Sequence, residues 1–289
     1  MMRRTVALSW VLVGAFWLGC ATVQPTAAPA SVVAAPAITD SYDILNAHLW
    51  QQTAEEYRAS ALQAYAAARR ALDQALADPS WTAAPEQAGD FSKLPPAIIL
   101  DVDETVLDNS PYATRSIRAH RRYEEGSWHA WCREARAAAI PGAVELTQYA
   151  ASRGVTVFYV TNRQTVVQPA TRENLRKAGF PLRDDLETVL TRGLRPEWSA
   201  SDKGPRRAYV AKDFRVLLLV GDDLNDFLAA KKSPAERAAL AAPFTGFWGS
   251  RWIMLPNPVY GSWEDAVLGN ERGLSEAEIL KRKLGAMRD

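Results

Sequence analysis

Five short apolar runs, at 97–102, 155–160, 186–190, 216–220 and 252–255, are separated for the most part by stretches with helical periodicity, such as 142–152, 165–178 and 203–212. Strands that alternate with helices cannot pair as hairpins. They predict a parallel sheet covered by helices on both faces, a Rossmann-like α/β fold. In such a fold the chemistry collects at the carboxyl ends of the strands, so the residues that close each run carry the functional information.

The first run, AIIL, ends in Asp101-Val102-Asp103-Glu104-Thr105. This delivers two carboxylates and a hydroxyl to the sheet edge, a pattern that an Asp-rich turn would also produce. A calcium loop starting at Asp101 fails, because its sixth and twelfth positions hold Val106 and Tyr112 rather than Gly and Glu. The second run, TVFYV, leads into Thr161-Asn162-Arg163. Lys203 opens a helical stretch, and the fourth run ends in Gly221-Asp222-Asp223-Leu224-Asn225-Asp226. Hydroxyl, cation and paired acids therefore recur at successive strand ends.

The stretch 106–140 has no strand signal. It holds Trp128, Trp131 and a basic stripe of Arg115, Arg118, Arg121 and Arg122, and reads as a small helical cap with a solvated basic face. Before the first run, Leu45, Leu49, Tyr57, Ala61, Tyr65, Ala68, Leu72 and Leu76 recur mostly at four-residue spacing and predict one long amphipathic helix ending by Asp78-Pro79.

At the start of the chain, Arg3 and Arg4 precede a mostly apolar segment, Val6 to Leu18, too short to span a bilayer as a helix, and Gly19-Cys20 follows. Residues 1–19 thus read as a secretory signal and Cys20 as a site of lipidation, although Trp17 and Leu18 depart from the usual lipobox. Residues 20–39, rich in Ala, Pro, Thr and Val, read as a flexible tether to a folded domain over 40–289. Ala21 after Cys20 favours outer-membrane sorting within a bacterial cell envelope. Once Cys20 is acylated, Cys132 has no disulfide partner and reads as a buried helix residue. His48, His120 and His129 show no ligand spacing. A net charge of +1 excludes a dedicated binder of nucleic-acid polymers.

Taken together, LDVDETVLDNSPY, AIPGAVEL, VFYVTNR, VGDDLNDF and IMLPNPVYGSWE resemble the haloacid-dehalogenase-like phosphohydrolases, and within them the class C, lipoprotein-type acid phosphatases that act as 5'-nucleotidases. The resemblance runs from about Asp40 to Glu264. It implies a phosphate monoester as substrate, nucleoside 5'-monophosphates or nicotinamide mononucleotide above all. Four carboxylates would repel a phosphate dianion by about 4 kcal/mol per pair at ~4 Å and an effective dielectric near 20, so a hard cation is expected. Mg²⁺ would take Asp101, Asp222 and the backbone carbonyl of Asp103, with Asp226 holding a bound water or acting one shell out. Asp101 is expected to be the nucleophile, giving an aspartyl-phosphate, and Asp103 to move protons, which implies an acidic optimum. Thr161 and Lys203 are expected to bind the phosphoryl oxygens. Arg206, one turn beyond Lys203, is the rival cation. Asp223 reads as a turn residue.

Substrate contacts are expected from Asn162, Arg163, Tyr112, Trp128 and Tyr260, with Trp128 and Tyr260 stacking on a base and Trp131 and Trp263 packing cap on core. The partners expected are a small phosphate monoester and, through the anchor, a membrane, with a homodimer left open. Rival readings are a phosphotransferase, a broad phosphatase without nucleotide preference, and a non-catalytic surface lipoprotein; the last would be expected to have lost at least one of the six motif residues.

Overall fold

In the computed structural model the described residues are 43–289. The signal, Cys20 and the tether lie outside them. Among the described residues no helix is long and apolar enough to cross a membrane.

The described residues begin with helices α1 (Leu45–Thr53) and α2 (Glu55–Ala77). Sequence periodicity runs through both, yet Ala54 is extended (φ −83°, ψ 128°) and divides them. The Thr53 hydroxyl donates to the carbonyl of Leu49 at the end of α1. Tyr57, Ala61, Tyr65, Ala68, Leu72 and Ala75 form the buried stripe of α2, the 3.6-residue repeat of a helix laid on a sheet.

Strand β1 (Pro96–Leu100) follows. The cap comes next: β2 (Leu107–Asp108), α3 (Ser110–Arg118), α4 (Glu125–Glu134) and β3 (Ala138–Ala139). The small cap is built on helices α3 and α4, and β2 and β3 pair antiparallel at its base. Two residues per strand are too few to write an alternation into the sequence. The Glu124 side chain caps α4 by accepting from the backbone N–H of Gly126 and Ser127.

The remaining elements are α5 (Ala143–Ser152), β4 (Thr156–Gln164), α6 (Gln168–Lys177), β5 (Val189–Arg192), α7 (Gly204–Asp213), β6 (Arg215–Gly221), α8 (Pro234–Ala241), β7 (Trp252–Met254), α9 (Ser262–Val267) and α10 (Glu276–Gly285). The large sheet has the order β5-β4-β1-β6-β7 with every pairing parallel. β5 starts later than expected, at Val189, because the Glu187 carboxylate accepts the Val189 N–H and prolongs the turn. α8, unannounced by strong periodicity, is fixed by a capping box between Ser233 and Glu236.

Alternate residues of the central strands feed two cores. Ile98, Leu100, Val157 and Tyr159 join α2 and α5 on one side. Ala97, Ile99, Phe158 and Val160 join Val210 of α7, Trp198 and Trp252 on the other. Both faces of the sheet are thus dry, which is why its strands read as unbroken apolar runs. Gly142 (φ +91°) starts α5 against the Tyr65 ring, where a Cβ would lie 2.9 Å from the Tyr65 Cβ. After β1 the chain adds strands first to one side and then to the other, so β1 lies at the switch point where open α/β sheets keep their sites.

Candidate active site

Asp101 follows β1 directly, and its N–H donates to Val220 of β6 at 2.9 Å. This holds the ends of the two strands side by side and brings Asp101 to Asp222, the residue after β6. The turn then doubles back: Asp223 caps a short 3₁₀ turn at 224–226, and Asp226 Oδ2 accepts the Asp223 N–H at 2.9 Å. A Cβ at Gly221 would overlap the Asp226 carboxylate, so the glycine makes room for the acid. As a result Asp101, Asp222 and Asp226 each offer an oxygen within 4.8 Å of the others.

Lys203, at the start of α7 and 3% exposed, donates to Asp101 Oδ1 and to Asp226 Oδ1. Arg206, the rival cation, does not reach these carboxylates. It donates to the carbonyl of Thr161 at 2.6 Å and to Asn162 Oδ1 at 2.7 Å, and so holds the end of β4.

Charge at this cluster is out of balance. Burial pushes Asp101 up to about 7, with Lys203 pulling it back and Asp226 and Asp103 adding to the rise. Burial raises Asp222 well above the usual carboxylate range, reinforced by Asp226 and Asp101, and it raises Asp226 as well. Burial pulls Lys203 down, but Asp101 and Asp226 outweigh it and hold the ammonium above its ordinary value. Three oxygen ligands with one resident cation suit a hard divalent ion, which removes the repulsion that protons otherwise relieve. Asp222 is held ready for this: Thr105 Oγ1 donates to one of its oxygens at 2.9 Å and Asn257 Nδ2 to the other at 2.8 Å.

Asp103 stands apart from the cluster. Its side chain is turned to Arg163 (2.8 Å), Asn109 (2.9 Å) and the Thr161 hydroxyl (3.3 Å). Glu104, between the two motif aspartates' turn and Thr105, takes φ +56°, an uncommon conformation for a residue with a Cβ. Its buried carboxylate accepts the Asn109 N–H at 2.8 Å and the Tyr260 hydroxyl, and burial beside Asp103 pushes it up to about 8.

Among the residues expected to contact substrate, Arg163 lies in an internal network. It is 2% exposed and its donors are taken up by Asp103, Asn109 and Thr171. Along β4, Thr161 and Arg163 are buried while Asn162 and Gln164 are half-buried, so strand alternation sends Arg163 inward with Thr161. Asn162 donates to the carbonyl of Ser201. Tyr112 meets Trp128 edge to face at 5.0 Å, and the Arg163 guanidinium lies 5.4 Å from the Trp128 ring. Trp131 is buried and donates to Asn109 at 2.8 Å. Trp263, expected to pack, is 42% exposed at the start of α9, and Tyr260 is 43% exposed.

Other expectations concern groups outside the cluster. Cys132 is buried in α4, and burial pushes its thiol up to about 12, which leaves it inert. His48 is buried against Thr114. In the basic stripe, Arg115 pairs with Glu134 at 2.5 Å and lies over Trp131. Asp223 serves the turn, accepting from Asn225 and Ser262. Glu104, Asn109 and Asn257 were not anticipated. Only their place inside the quoted motifs could have pointed to them.

Known proteins share this arrangement of elements. The family described as HAD superfamily, subfamily IIIB (Acid phosphatase) matches residues 18–263. Among solved structures, the class C acid phosphatase from Bacillus anthracis is similar with a TM-score of 0.76 and 33% identity, covering 86% of this chain and 98% of that chain. A structure of the B. anthracis class C acid phosphatase with tungstate bound gives 0.75 and 32%, with the same coverage. Among curated relatives, acid phosphatase 1 from Solanum lycopersicum is 29% identical over 165 residues, 56% of this chain and 57% of its own length. A stem 31 kDa glycoprotein from Glycine max is 24% identical over 162 residues, 56% of this chain and 58% of its own. The chain thus matches over less than two thirds of these curated relatives' length. With the match covering most of its length and the motif residues gathered at one sheet edge, the chain belongs to the acid phosphatase family of the HAD superfamily, subfamily IIIB.

Proposed function

We propose that this chain is a magnesium-assisted acid phosphatase that hydrolyses phosphate monoesters through an aspartyl-phosphate on Asp101, with nucleoside 5'-monophosphates or nicotinamide mononucleotide as its preferred substrates. The observation that carries the reading is the spatial separation of two carboxylate systems: Asp101, Asp222 and Asp226 gathered together with Lys203 on the first and last, and Asp103 held apart by Arg163 and Asn109. One set suits an ion and a nucleophile; the other suits proton transfer.

A divalent ion bound to the first set would supply positive charge for the phosphoryl oxygens. The chain's own residues do the rest. An Asp101 oxygen forms a bond to phosphorus while the ester P–O bond breaks, and the leaving oxygen takes the proton of Asp103. Water then attacks phosphorus and gives a proton back to Asp103, and the Asp101 carboxylate leaves. The net change is one ester and one water to one alcohol and one phosphate. Lys203 and the Thr161 hydroxyl would stabilise the oxygens of the transferring group. Tungstate, bound by the B. anthracis relative, is a tetrahedral oxyanion like phosphate and favours the same reading here.

Trp128, Tyr112 and Tyr260 would hold the nucleoside by ring stacking. The secretory signal and Cys20 would place the enzyme on the outer side of a membrane, as a lipoprotein of a bacterial envelope. The test is a panel of phosphomonoesters offered to the purified chain with Mg²⁺, without it, and with EDTA. Mg²⁺-dependent release of phosphate, fastest from nucleotides, is expected; activity on aryl phosphates but not on nucleotides contradicts the substrate assignment.

A further inference from the structure

The two oxygens of Asp103 have unequal surroundings. Oδ1 accepts two N–H groups, from Arg163 Nε at 2.9 Å and Asn109 Nδ2 at 2.9 Å, and the charged Arg163 Nη2 lies 2.8 Å from it. Among the described residues Oδ2 has one partner, the Thr161 hydroxyl at 3.3 Å. An oxygen that already accepts two N–H groups beside a guanidinium has both lone pairs engaged and none left to carry a proton or pass one on. Proton transfer by Asp103 is therefore confined to Oδ2.

Arg163 is built to impose this choice. Its side chain is 1% exposed. Beyond Asp103 it donates through Nη1 to Thr171 Oγ1 at 3.3 Å and through Nη2 to Asn109 Oδ1 at 3.1 Å. The same Asn109 oxygen accepts from Trp131 Nε1 of α4 at 2.8 Å, so the network runs from the cap to the carboxylate. A planar guanidinium spans these acceptors at once; a lysine ammonium, a point charge on a flexible stem, cannot.

We propose that Arg163 is a positioning residue for the proton-transfer step: it turns Asp103 Oδ1 inward and presents Oδ2 to the leaving oxygen, with Asn109 as its brace. This rests on Asp103 being the proton donor. Without the arginine the carboxyl group can rotate, and the proton is delivered from the wrong place or not at all.

Leaving groups distinguish this from a merely structural ion pair. The departing alcohol of glycerol 2-phosphate needs a proton, whereas 2,4-dinitrophenolate leaves without one. We would measure kcat/KM for both esters with Arg163→Ala, Arg163→Lys, Asn109→Ala and Asp103→Asn, checking each fold by circular dichroism. Arg163→Ala should lose on the order of 100-fold on the alkyl ester, within the range of general acid catalysis, and under about 5-fold on the dinitrophenyl ester. Arg163→Lys and Asn109→Ala should show the same bias at roughly 10-fold. Equal losses on both esters, or none, overturn the proposal. Should Arg163→Ala fail to fold, the Lys and Asn109 variants decide. Asp103→Asn separates the two assumptions: if it lacks the bias, Asp103 is not the donor and the proposal falls with it. If it shows the bias and the Arg163 and Asn109 variants do not, only the positioning role is lost.

Discussion

A divalent ion bound at Asp101, Asp222 and Asp226 would compete with protons for the same three carboxylates. Their oxygens lie within 4.8 Å of one another, and two full charges at that distance repel by about 3.5 kcal/mol at an effective dielectric of 20. Lys203 offsets this at Asp101 and Asp226. Burial holds Asp101 up to about 7 against an ordinary 3.8, and moves Asp222 and Asp226 the same way. The folded protein thus binds more protons than the unfolded chain between about pH 4 and pH 7, so without metal its stability falls as pH rises through that window. An ion needs the charged carboxylates and should add most where the protons have left. At pH 7, with Mg²⁺ at a hundred times its Kd, the gain is about 2.7 kcal/mol, or about 5–10 °C in Tm for a chain of this size. If one proton is displaced per ion, the same Mg²⁺ at pH 5 should give only about 0.4 kcal/mol. Thermal melts of EDTA-treated protein in a Mg²⁺ series at pH 5, 6 and 7 read this directly. A shift that does not change with pH, or none with any divalent ion, refutes the reasoning.

Further outcomes are expected from single substitutions. Asn257→Ala removes one of the two donors that fix Asp222 and should weaken Mg²⁺ binding by about 10–100-fold, measured by calorimetry; unchanged affinity would mean that Thr105 alone suffices. Trp128→Ala should raise KM for nucleoside monophosphates by about 5–100-fold, the worth of a base–ring stack, and much less for p-nitrophenyl phosphate. Equal effects on the two would assign Trp128 to packing against Tyr112 and Arg163. Asp223→Ala removes acceptors for Asn225 and Ser262 and should cost about 0.5–2 kcal/mol of stability as a lost cap, seen as a lower urea midpoint.

Strand ends were legible in the sequence because a sheet buried on both faces must be written as apolar runs, and the polar residue that stops each run marks the sheet edge. Asp101, Thr161 and Asp222 were found that way, and Lys203 from its place before the fourth run. What the sequence hid was orientation. Arg163 follows a hydroxyl at a strand end and reads as a substrate ligand, but β4 continues to Gln164, and two-residue alternation turns the guanidinium inward. The break at Ala54 was invisible because alanine is the best helix former and the apolar spacing continues across it. Asn109 and Asn257 act through side-chain amides in loops, where no periodicity records direction.

The central claim is a covalent phosphoryl group on Asp101, and rapid acid quenching of the enzyme during turnover of a ³²P-labelled monoester tests it most directly. After proteolysis the label should sit on the peptide that contains Asp101, be released by alkali as an acyl phosphate is, and be absent from Asp101→Asn, which should fold but not turn over. Label on another residue, or undiminished turnover by Asp101→Asn, would contradict the mechanism.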